Sequence, residues 1–494
     1  MDPVLGTNLA WVSVALLHFA VCIIALIVIP RNRKPTAAMA WLLAILFVPF
    51  IGLVLYLIIG KSQLPERRRA EQQRIDGLIA ARVAGLDLVP GRATWPQWFE
   101  SVARQNQTLG GIPVVGGNTA VLIDDYTGSI DAMAAEIDTA TTFVHVEYFI
   151  VSLDSTTRGF FAAMEAAVKR GVTVRLLADH VSSVKAVGHK ETFAELDRIG
   201  VKWSYMLPVM PFKGKYQRPD LRNHRKLVVI DGRVGYMGSQ NLIDRSYNTP
   251  KNLKRGLQWQ ELVTRLEGPV VAGLNAVFLS DWLSETGELL DVESPAVNLP
   301  ARQARFDRSP DALECQVVPS GPSYSTENNL RLFLSLIYAA SSRAIITSPY
   351  FVPDEAMMYA ITSACHRGLD VQLFVSEIGD QGPVFHAQRS YYGDLLEAGV
   401  RIFRYPAPFI LHAKHLSIDD DIAVIGSSNM DIRSFNLDLE VSLLVRGRAF
   451  VDKMREVEEG YRVISSELTR EEWAREPLSS TALDGLARLT SALE

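Results

Sequence analysis

Cysteine is scarce. Cys22, Cys315 and Cys365 are the only three in 494 residues, widely spaced and odd in number. That excludes a disulfide framework and the paired spacing of a zinc site, and it fits a reducing compartment. Positive charge is not in excess either: 50 Lys and Arg face 55 Asp and Glu, a net charge of −5. The chain as a whole has no general electrostatic reason to hold nucleic acid. With 48% hydrophobic and 21% charged residues, it is neither disordered nor collagen-like.

Formal charge is missing altogether from two long runs, residues 9–29 and 38–59. Each is long enough to cross about 30 Å of hydrocarbon as a helix. The first is a poor secretory signal, because MDPVLGT carries no Lys or Arg and no A-x-A site follows. The expectation is two retained membrane helices, joined by Arg31, Asn32, Arg33, Lys34 and Pro35. Lys61 and Arg67–Arg69 follow the second, so both flanks are basic and the positive-inside rule does not orient the pair. Pro49 and Gly52 leave open a kink or a hairpin that does not fully cross. The unpaired cysteines and the basic exit favour a cytoplasmic placement, at the cell (inner) membrane, for the part of the chain that follows.

Residues 61–110 read as a polar linker with an amphipathic helix. Beyond it, strand-like runs alternate with helical ones, the pattern of an α/β domain, and they do so twice. Arg170-Gly171-Val172-Thr173-Val174 returns as Arg367-Gly368-Leu369-Asp370-Val371, and Ile199-Gly200-Val201 as Ala398-Gly399-Val400. Two matches in one order at nearly one offset imply two similar halves, 111–270 and 321–494, joined through 271–320 and preceded by an anchor, 1–60. The last run, with Leu483, Leu486, Leu489 and Leu493, reads as a packing helix.

The strongest signal is a motif present in both halves. His224-Arg225-Lys226-Leu227-Val228-Val229-Ile230-Asp231 is followed six residues later by Gly238-Ser239-Gln240-Asn241. His412-Ala413-Lys414-His415-Leu416-Ser417-Ile418-Asp419 is followed, at the same interval, by Gly426-Ser427-Ser428-Asn429. Six fixed positions have a chance frequency on the order of 10⁻⁸ per starting point. On a strand, His224 and Lys226 share a face, as do His412 and Lys414. A hairpin at Asp231-Gly232 returns Asn241 toward its own His–Lys pair, and Asn429 likewise. Two imidazoles, two ammonium groups and two amides around one point suit a phosphate with a transferable group. A metal reading of His412 with His415 fails, since three apart on a strand they face opposite sides. His145, His180, His189, His366 and His386 read as structural. Residues 145–149 match 348–351 through a shared Tyr-Phe, which expects both strands to line the site. Residues 205–215 and 406–411 read as a lipid-facing rim.

These motifs resemble the phospholipase D superfamily. With the hydrophobic pair and Pro35–Leu43, the chain is more closely similar to bacterial cardiolipin synthases. The resemblance implies an α/β fold of two phospholipase D-like halves related by pseudo-two-fold symmetry. It also implies a phosphatidyltransferase: two phosphatidylglycerols give cardiolipin and glycerol through a phosphatidyl-histidine. His224 is assigned as nucleophile and His412 as general acid/base, an order that the pseudo-symmetry leaves open. Lys226, Lys414, Asn241 and Asn429, with Ser239 and Ser427, would hold the phosphoryl oxygens, and no metal or cofactor is implied. Family histidines are oriented by carboxylates. Glu261 and Glu440 are the candidates, each seven residues before a glycine, with about nine extra residues near 248–256 preceding Glu261. Asp231 and Asp419 belong to the catalytic motif by name, but at strand ends beside turns they read as structural. Expected partners are phosphatidylglycerol, other anionic phospholipids and the membrane; nucleic acid is not expected, and homo-oligomerisation is left open. A phospholipase D hydrolase, or a transferase using phosphatidylethanolamine or another alcohol, would use the same residues. A non-catalytic lipid scaffold would show one decayed motif, and both are intact.

Overall fold

A computed structural model describes residues 3–31, 35–60, 63–83, 88–89, 92–211, 215–290, 312–324 and 326–489. The chain forms two compact units: 1–63 with Arg218–Asp220, and the remainder. In the first unit, Pro3–Val28 is one 26-residue helix, and Trp11–Val28 is long and apolar enough to cross a membrane. Trp11, Leu16, Leu17 and Phe19 on it are exposed.

The second apolar run departs from expectation. It breaks at Val48 into two helices, Pro35–Phe47 and Pro49–Ile59. Pro49 cannot donate to the helix before it and fits the first turn of a new one. The two pieces fold back on each other: the rings of Trp41 and Tyr56 lie 5.5 Å apart, and a side chain on Gly52 would strike the backbone of Ala44. At ~1.5 Å per residue, helices of 13 and 11 residues each fall short of a ~30 Å core. One helix, not two, is therefore of spanning length among the described residues.

The second unit is built on a single sheet. Its first arm contains β1 (Val115–Ile123), β2 (Phe143–Tyr148), β3 (Thr173–Asp179), β4 (Lys202–Met206), β5 (Leu227–Ile230), β6 (Val234–Gly238) and β7 (Val263–Glu267). The second contains β8 (Leu313–Ser320), β9 (Arg343–Thr347), β10 (Asp370–Ser376), β11 (Arg401–Tyr405), β12 (His415–Ile418), β13 (Ile422–Gly426) and β14 (Asp438–Arg446). From edge to edge the order is β4-β3-β2-β5-β6-β7-β1-β8-β14-β13-β12-β9-β10-β11, with Ser466–Leu468 added outside β11. Read from either edge inward, the two arms have the same connectivity. They meet at the antiparallel β1–β8 pair, where Val115 opposes Cys315.

Helices cover both faces. In Arg158–Lys169, Phe160, Phe161, Met164 and Ala167 recur at helical spacing and are buried; each large one contributes about 1.5–3 kcal/mol over exposure. The repeated Arg-Gly has a physical reason. Gly171 and Gly368 take φ of 88° and 87°, ending their helices in the left-handed region that favours glycine. The preceding arginines cap a neighbouring helix, Arg170 on the Ile137 carbonyl at 3.0 Å and Arg367 on that of Ile337 at 2.8 Å.

From Leu64 on, the stretch expected to be a linker belongs to this unit. Helix Glu66–Val83 is held on helix Val270–Thr286 by Arg68, which donates two bonds to Glu285 at 2.6 and 2.7 Å. The expected join 271–320 consists at its ends of that helix and β8; residues 291–311 lie outside the described residues. The carboxy-terminal helix Leu478–Arg488 packs through Asp484 and Ala487, not through its leucines. Asp484 accepts from His386 at 2.7 Å and Arg389 at 3.2 Å, while Leu486 and Leu489 face outward. Phe212–Gly214 of the expected lipid rim and Leu493 of the expected packing helix lie outside the described residues. In 406–411, Ile410 and Leu411 are buried instead of exposed.

Asp231 and Asp419 stand at the ends of β5 and β12 farthest from the motif histidines. The Asp231 carboxylate accepts from the backbone N–H of Thr141, Thr142 and Phe143 at 2.8–2.9 Å, and Asp419 does the same for Ser341–Arg343. Both carboxylates tie the hairpin to the start of the neighbouring strand, a structural place and not one at the histidines. Burial works against the charged form, but these donors prevail and hold Asp231 down at about 2. Asp231→Asn should cost about 1–2 kcal/mol, discounted for partial exposure. A depressed carboxylate contributes fully above its unfolded value of about 3.9 and loses that contribution as pH falls toward 2. Denaturant unfolding should show a wild-type–variant gap that is constant near neutrality and shrinks below about pH 4. A gap that widens on acidification would count against this role.

Candidate active site

Two short parallel bridges between the arms build the site. Arg222–Asn223 pairs with Asp438–Leu439, and Gln258–Gln260 pairs with Phe409–Leu411. The ladders continue one residue further: His224 N–H donates to the Leu439 carbonyl at 2.8 Å, and His412 N–H to that of Gln260 at 2.7 Å. Those registers set each histidine beside a glutamate of the other arm. His224 Nδ1 lies 2.9 Å from Glu440 Oε1, and His412 Nδ1 lies 2.8 and 3.0 Å from the two oxygens of Glu261. The sequence points to both glutamates, but spacing pairs each with its own half; the bridges cross them. The extra residues before Glu261 do not displace it.

Alternation along the strand holds. Lys226 Nζ donates to the His224 carbonyl and Lys414 Nζ to the His412 carbonyl, whereas Arg225 turns the other way to Asp281 and the Glu440 carbonyl. Both histidines and both lysines are buried. With Nδ1 engaged by a carboxylate, Nε2 is the ring atom left for chemistry.

The electrostatics are strongly coupled across the arms. Burial, then Lys226 and Lys414, hold His224 well below the usual imidazole range. Burial also lowers His412, but Glu261 opposes it. Burial, with the charge of Lys414 adding to it, brings Lys226 down to about 7, and burial brings Lys414 to about 8 against the pull of Glu261 and Glu440. The glutamates diverge. Burial pushes Glu440 up to about 7 against the pull of Lys226, near Asp438 at about 8 and Asp431 at about 6, both raised mainly by burial. For Glu261, burial acts upward too, but His412 and Lys414 outweigh it and keep the carboxyl below its usual range.

The remaining sequence candidates divide. Asn241 takes the Ile150 N–H at 3.2 Å and donates to the Tyr247 hydroxyl at 2.8 Å, leaving one amide hydrogen for a ligand. Asn429 is buried with its carbonyl oxygen unpartnered among the described residues. Ser239 and Ser427 do not serve as phosphate donors here. Ser239 exchanges bonds with the Leu262 backbone at 3.0 and 3.2 Å, and Ser427 donates to Glu440. They fix the glutamate strands instead. The Tyr-Phe match is one residue out of step: Tyr148 and Phe351 are core residues, while Phe149 and Tyr350 meet the histidines. Tyr247 was not anticipated. Its signal was available, since Arg245-Ser246-Tyr247-Asn248 returns as Arg433-Ser434-Phe435-Asn436 at the 188-residue spacing of the motif.

A family model described as "Cardiolipin synthase, PLD-like domain" matches residues 133–282 and 333–459, and one described as "Phospholipase_D-nuclease N-terminal" matches 20–61. Cardiolipin synthase A of Proteus mirabilis is 29% identical over 495 residues, covering 99% of each chain. That of Edwardsiella ictaluri is 30% identical over 494 residues, again covering 99% of each. Among solved structures, the phosphatidylserine synthase of Haemophilus influenzae superposes with a TM-score of 0.59 over 80% of this chain and 98% of its own, at 12% identity; that is a likeness of fold.

The depressed lysines make anion binding proton-linked. A dianion favours their charged forms, so it raises both values, and affinity falls as pH rises through 7–8. Titration calorimetry with sulfate at pH 8 should show net proton uptake, read as an enthalpy that differs between buffers of different ionisation enthalpy. Identical enthalpies in both buffers would contradict lysines poised near neutrality.

Proposed function

The chain belongs to the family of phospholipase D-like cardiolipin synthase domains, and on that premise we propose how its paired site works. It is a phosphatidyltransferase: the phosphatidyl group of one phosphatidylglycerol passes to a second, giving cardiolipin and glycerol. The observation that supports the mechanism is the crossed pair of His–Glu contacts, with both histidines and both lysines buried and electrostatically coupled across the arms.

His224 Nε2 attacks phosphorus while the bond from phosphorus to the glycerol oxygen breaks, and His412 Nε2 gives that oxygen a proton. In the second step the hydroxyl oxygen of another phosphatidylglycerol attacks phosphorus. Its proton returns to His412 and the P–N bond breaks. Lys226, Lys414, Asn241 and Asn429 hold the phosphoryl oxygens as negative charge develops. The asymmetry supports this order. His224 is the more strongly held neutral and lies against Phe149, which suits a nucleophile. His412 keeps the ionised Glu261, which suits a group that must carry a proton. The organisation that goes with this reading is an anchor up to residue 60, a linker over 61–110, and two phospholipase D-like halves joined through 271–320.

Purified full-length protein given phosphatidylglycerol alone should yield cardiolipin and glycerol by mass spectrometry; phosphatidic acid in their place would make it a hydrolase. His224→Ala should abolish synthesis and all loading of radiolabel from a phosphorus-labelled phosphatidyl-4-nitrophenol. His412→Ala should also stop turnover, yet load, because nitrophenolate leaves without a proton, and the adduct should persist. Loading by His224→Ala alone would exchange the two roles.

The split second run also bears on topology. If only Pro3–Val28 crosses and 35–59 returns as a hairpin, the basic residues 31–34 and 61–69 share one side, and the positive-inside rule puts that side in the cytoplasm. The catalytic unit follows them there. Neither native cysteine of that unit is a good probe, since Cys315 is buried and burial raises Cys365 to about 11. In sealed cells, a membrane-impermeant maleimide should label an Asp2→Cys variant and spare one at the exposed Leu289. The reverse pattern would invert the topology.

A further inference from the structure

The wall beside His412 is polar where its counterpart beside His224 is not. Tyr350 sets its ring edge-on to His412, with centroids 6.2 Å apart, and its hydroxyl donates to Asp380 Oδ2 at 3.0 Å. In the other arm Phe149 meets His224 at 4.8 Å and has no hydroxyl to offer. The second oxygen of the Asp380 carboxylate, Oδ1, is buried, and no donor among the described residues reaches it. Tyr350 and Asp380 line a small cleft together with Ser376, Gln381, Gln388 and Ile410, with room for about one water-sized group. Tyr350 is the residue that joins the two places, lining the cleft with its hydroxyl end and meeting His412 with its ring.

Two features make this cleft a built site. Gln388 is already satisfied, accepting from the Phe351 N–H at 2.9 Å and donating to Tyr392 at 2.7 Å, so Asp380 Oδ1 is the acceptor left over. The loop that carries Asp380 is pinned from the opposite arm by the extra residues found only there. Arg255 donates to the Gly379 carbonyl at 2.8 Å, and Lys251 to that of Asp380 at 3.3 Å. A buried acceptor without a donor is costly, so a ligand that supplies one is favoured.

We propose that Asp380, positioned by Tyr350, accepts a hydrogen bond from the non-reacting hydroxyl of a glycerol headgroup, and that this cleft seats that hydroxyl beside the alcohol oxygen served by His412. The inference rests on the phosphatidyl-transfer reading above and adds to it a basis for choosing the alcohol. A vicinal diol places one oxygen at phosphorus and the adjacent hydroxyl on Asp380. A monohydric alcohol fills the first place and leaves Asp380 Oδ1 without a donor. A site built to bond a hydroxyl discriminates strongly against analogues that lack it.

The test uses full-length protein in detergent with phosphatidyl-4-nitrophenol as donor and glycerol or 1-propanol as competing acceptors. Nitrophenolate release reports loading, and the ratio of phosphatidylglycerol to phosphatidylpropanol reports selection, independent of how much protein is folded. Wild type should favour glycerol, and Asp380→Asn should lower that ratio by about tenfold or more, the scale of one hydrogen bond to a charged group. Tyr350→Phe should shift it the same way by less. A ratio unchanged in Asp380→Asn, or a wild type with no preference for glycerol, overturns the subsite. Wild type that selects glycerol here yet makes no cardiolipin from phosphatidylglycerol overturns the reading of the reaction and leaves the subsite standing. Absence of nitrophenolate release from wild type overturns both.

Discussion

Everything at the centre of this protein depends on an exchange: each arm lends its glutamate to the other arm's histidine. Glu261 and Glu440 are almost wholly buried, and so are the lysines and histidines they face. Removing one member of a buried charged pair leaves its partner without compensation, at about 3–5 kcal/mol. Parting the arms would do that several times over, so neither arm can hold this site alone. The continuous sheet is the structural counterpart of that requirement. The β1–β8 pair fixes the arms in one orientation, and two bridges of two or three residues then set the registers that bring histidine to glutamate.

What the sequence revealed and what it concealed divide along the range of the interactions. The repeated motif, the hairpin after Asp231, the shared face of His224 and Lys226 and the left-handed Gly171 and Gly368 are local, and all can be read from spacing. The structural role of Asp231 and Asp419 was also legible, because a carboxylate at a tight turn beside a strand start has backbone N–H groups within reach. The crossing of the glutamates was not. It is decided by a parallel bridge between segments well over a hundred residues apart, and no spacing within a half encodes it. The same limit explains Ser239 and Ser427, whose hydroxyls are claimed by a strand that arrives from later in the chain. It also explains 406–411, where Ile410 and Leu411 are apolar because they form a bridge, not a rim.

Two other departures have local causes that periodicity hides. Residues 38–59 lack charge throughout, so hydropathy sees one span, yet one proline after Val48 suffices to end a helix and begin another. In the carboxy-terminal helix the leucines suggested the buried face, but Asp484 is anchored by His386 and Arg389, and that polar contact turns the leucines outward. A buried carboxylate that must find its hydrogen-bond donors constrains a helix's rotation more tightly than leucines that tolerate exposure.

A duplicated fold supplies two equivalent histidines, but a two-step transfer needs two different ones. The difference arises in the residues around the motif, since the motif itself is the same in both arms. Phe149 against His224 and Tyr350 against His412 make one wall apolar and the other polar. The acids Asp431 and Asp438 surround Glu440, while Glu261 has Tyr247 and faces a cationic partner; Phe435 occupies the place of Tyr247 in the second arm's sequence. The insertion at 248–256 supplies Lys251 and Arg255, which hold the loop of Asp380, so an addition to one arm shapes the wall beside the other arm's histidine. Symmetry therefore sets the distances at which the phosphoryl group can be held. In the proposed mechanism, the departures from symmetry determine which histidine attacks phosphorus and which one serves the alcohol.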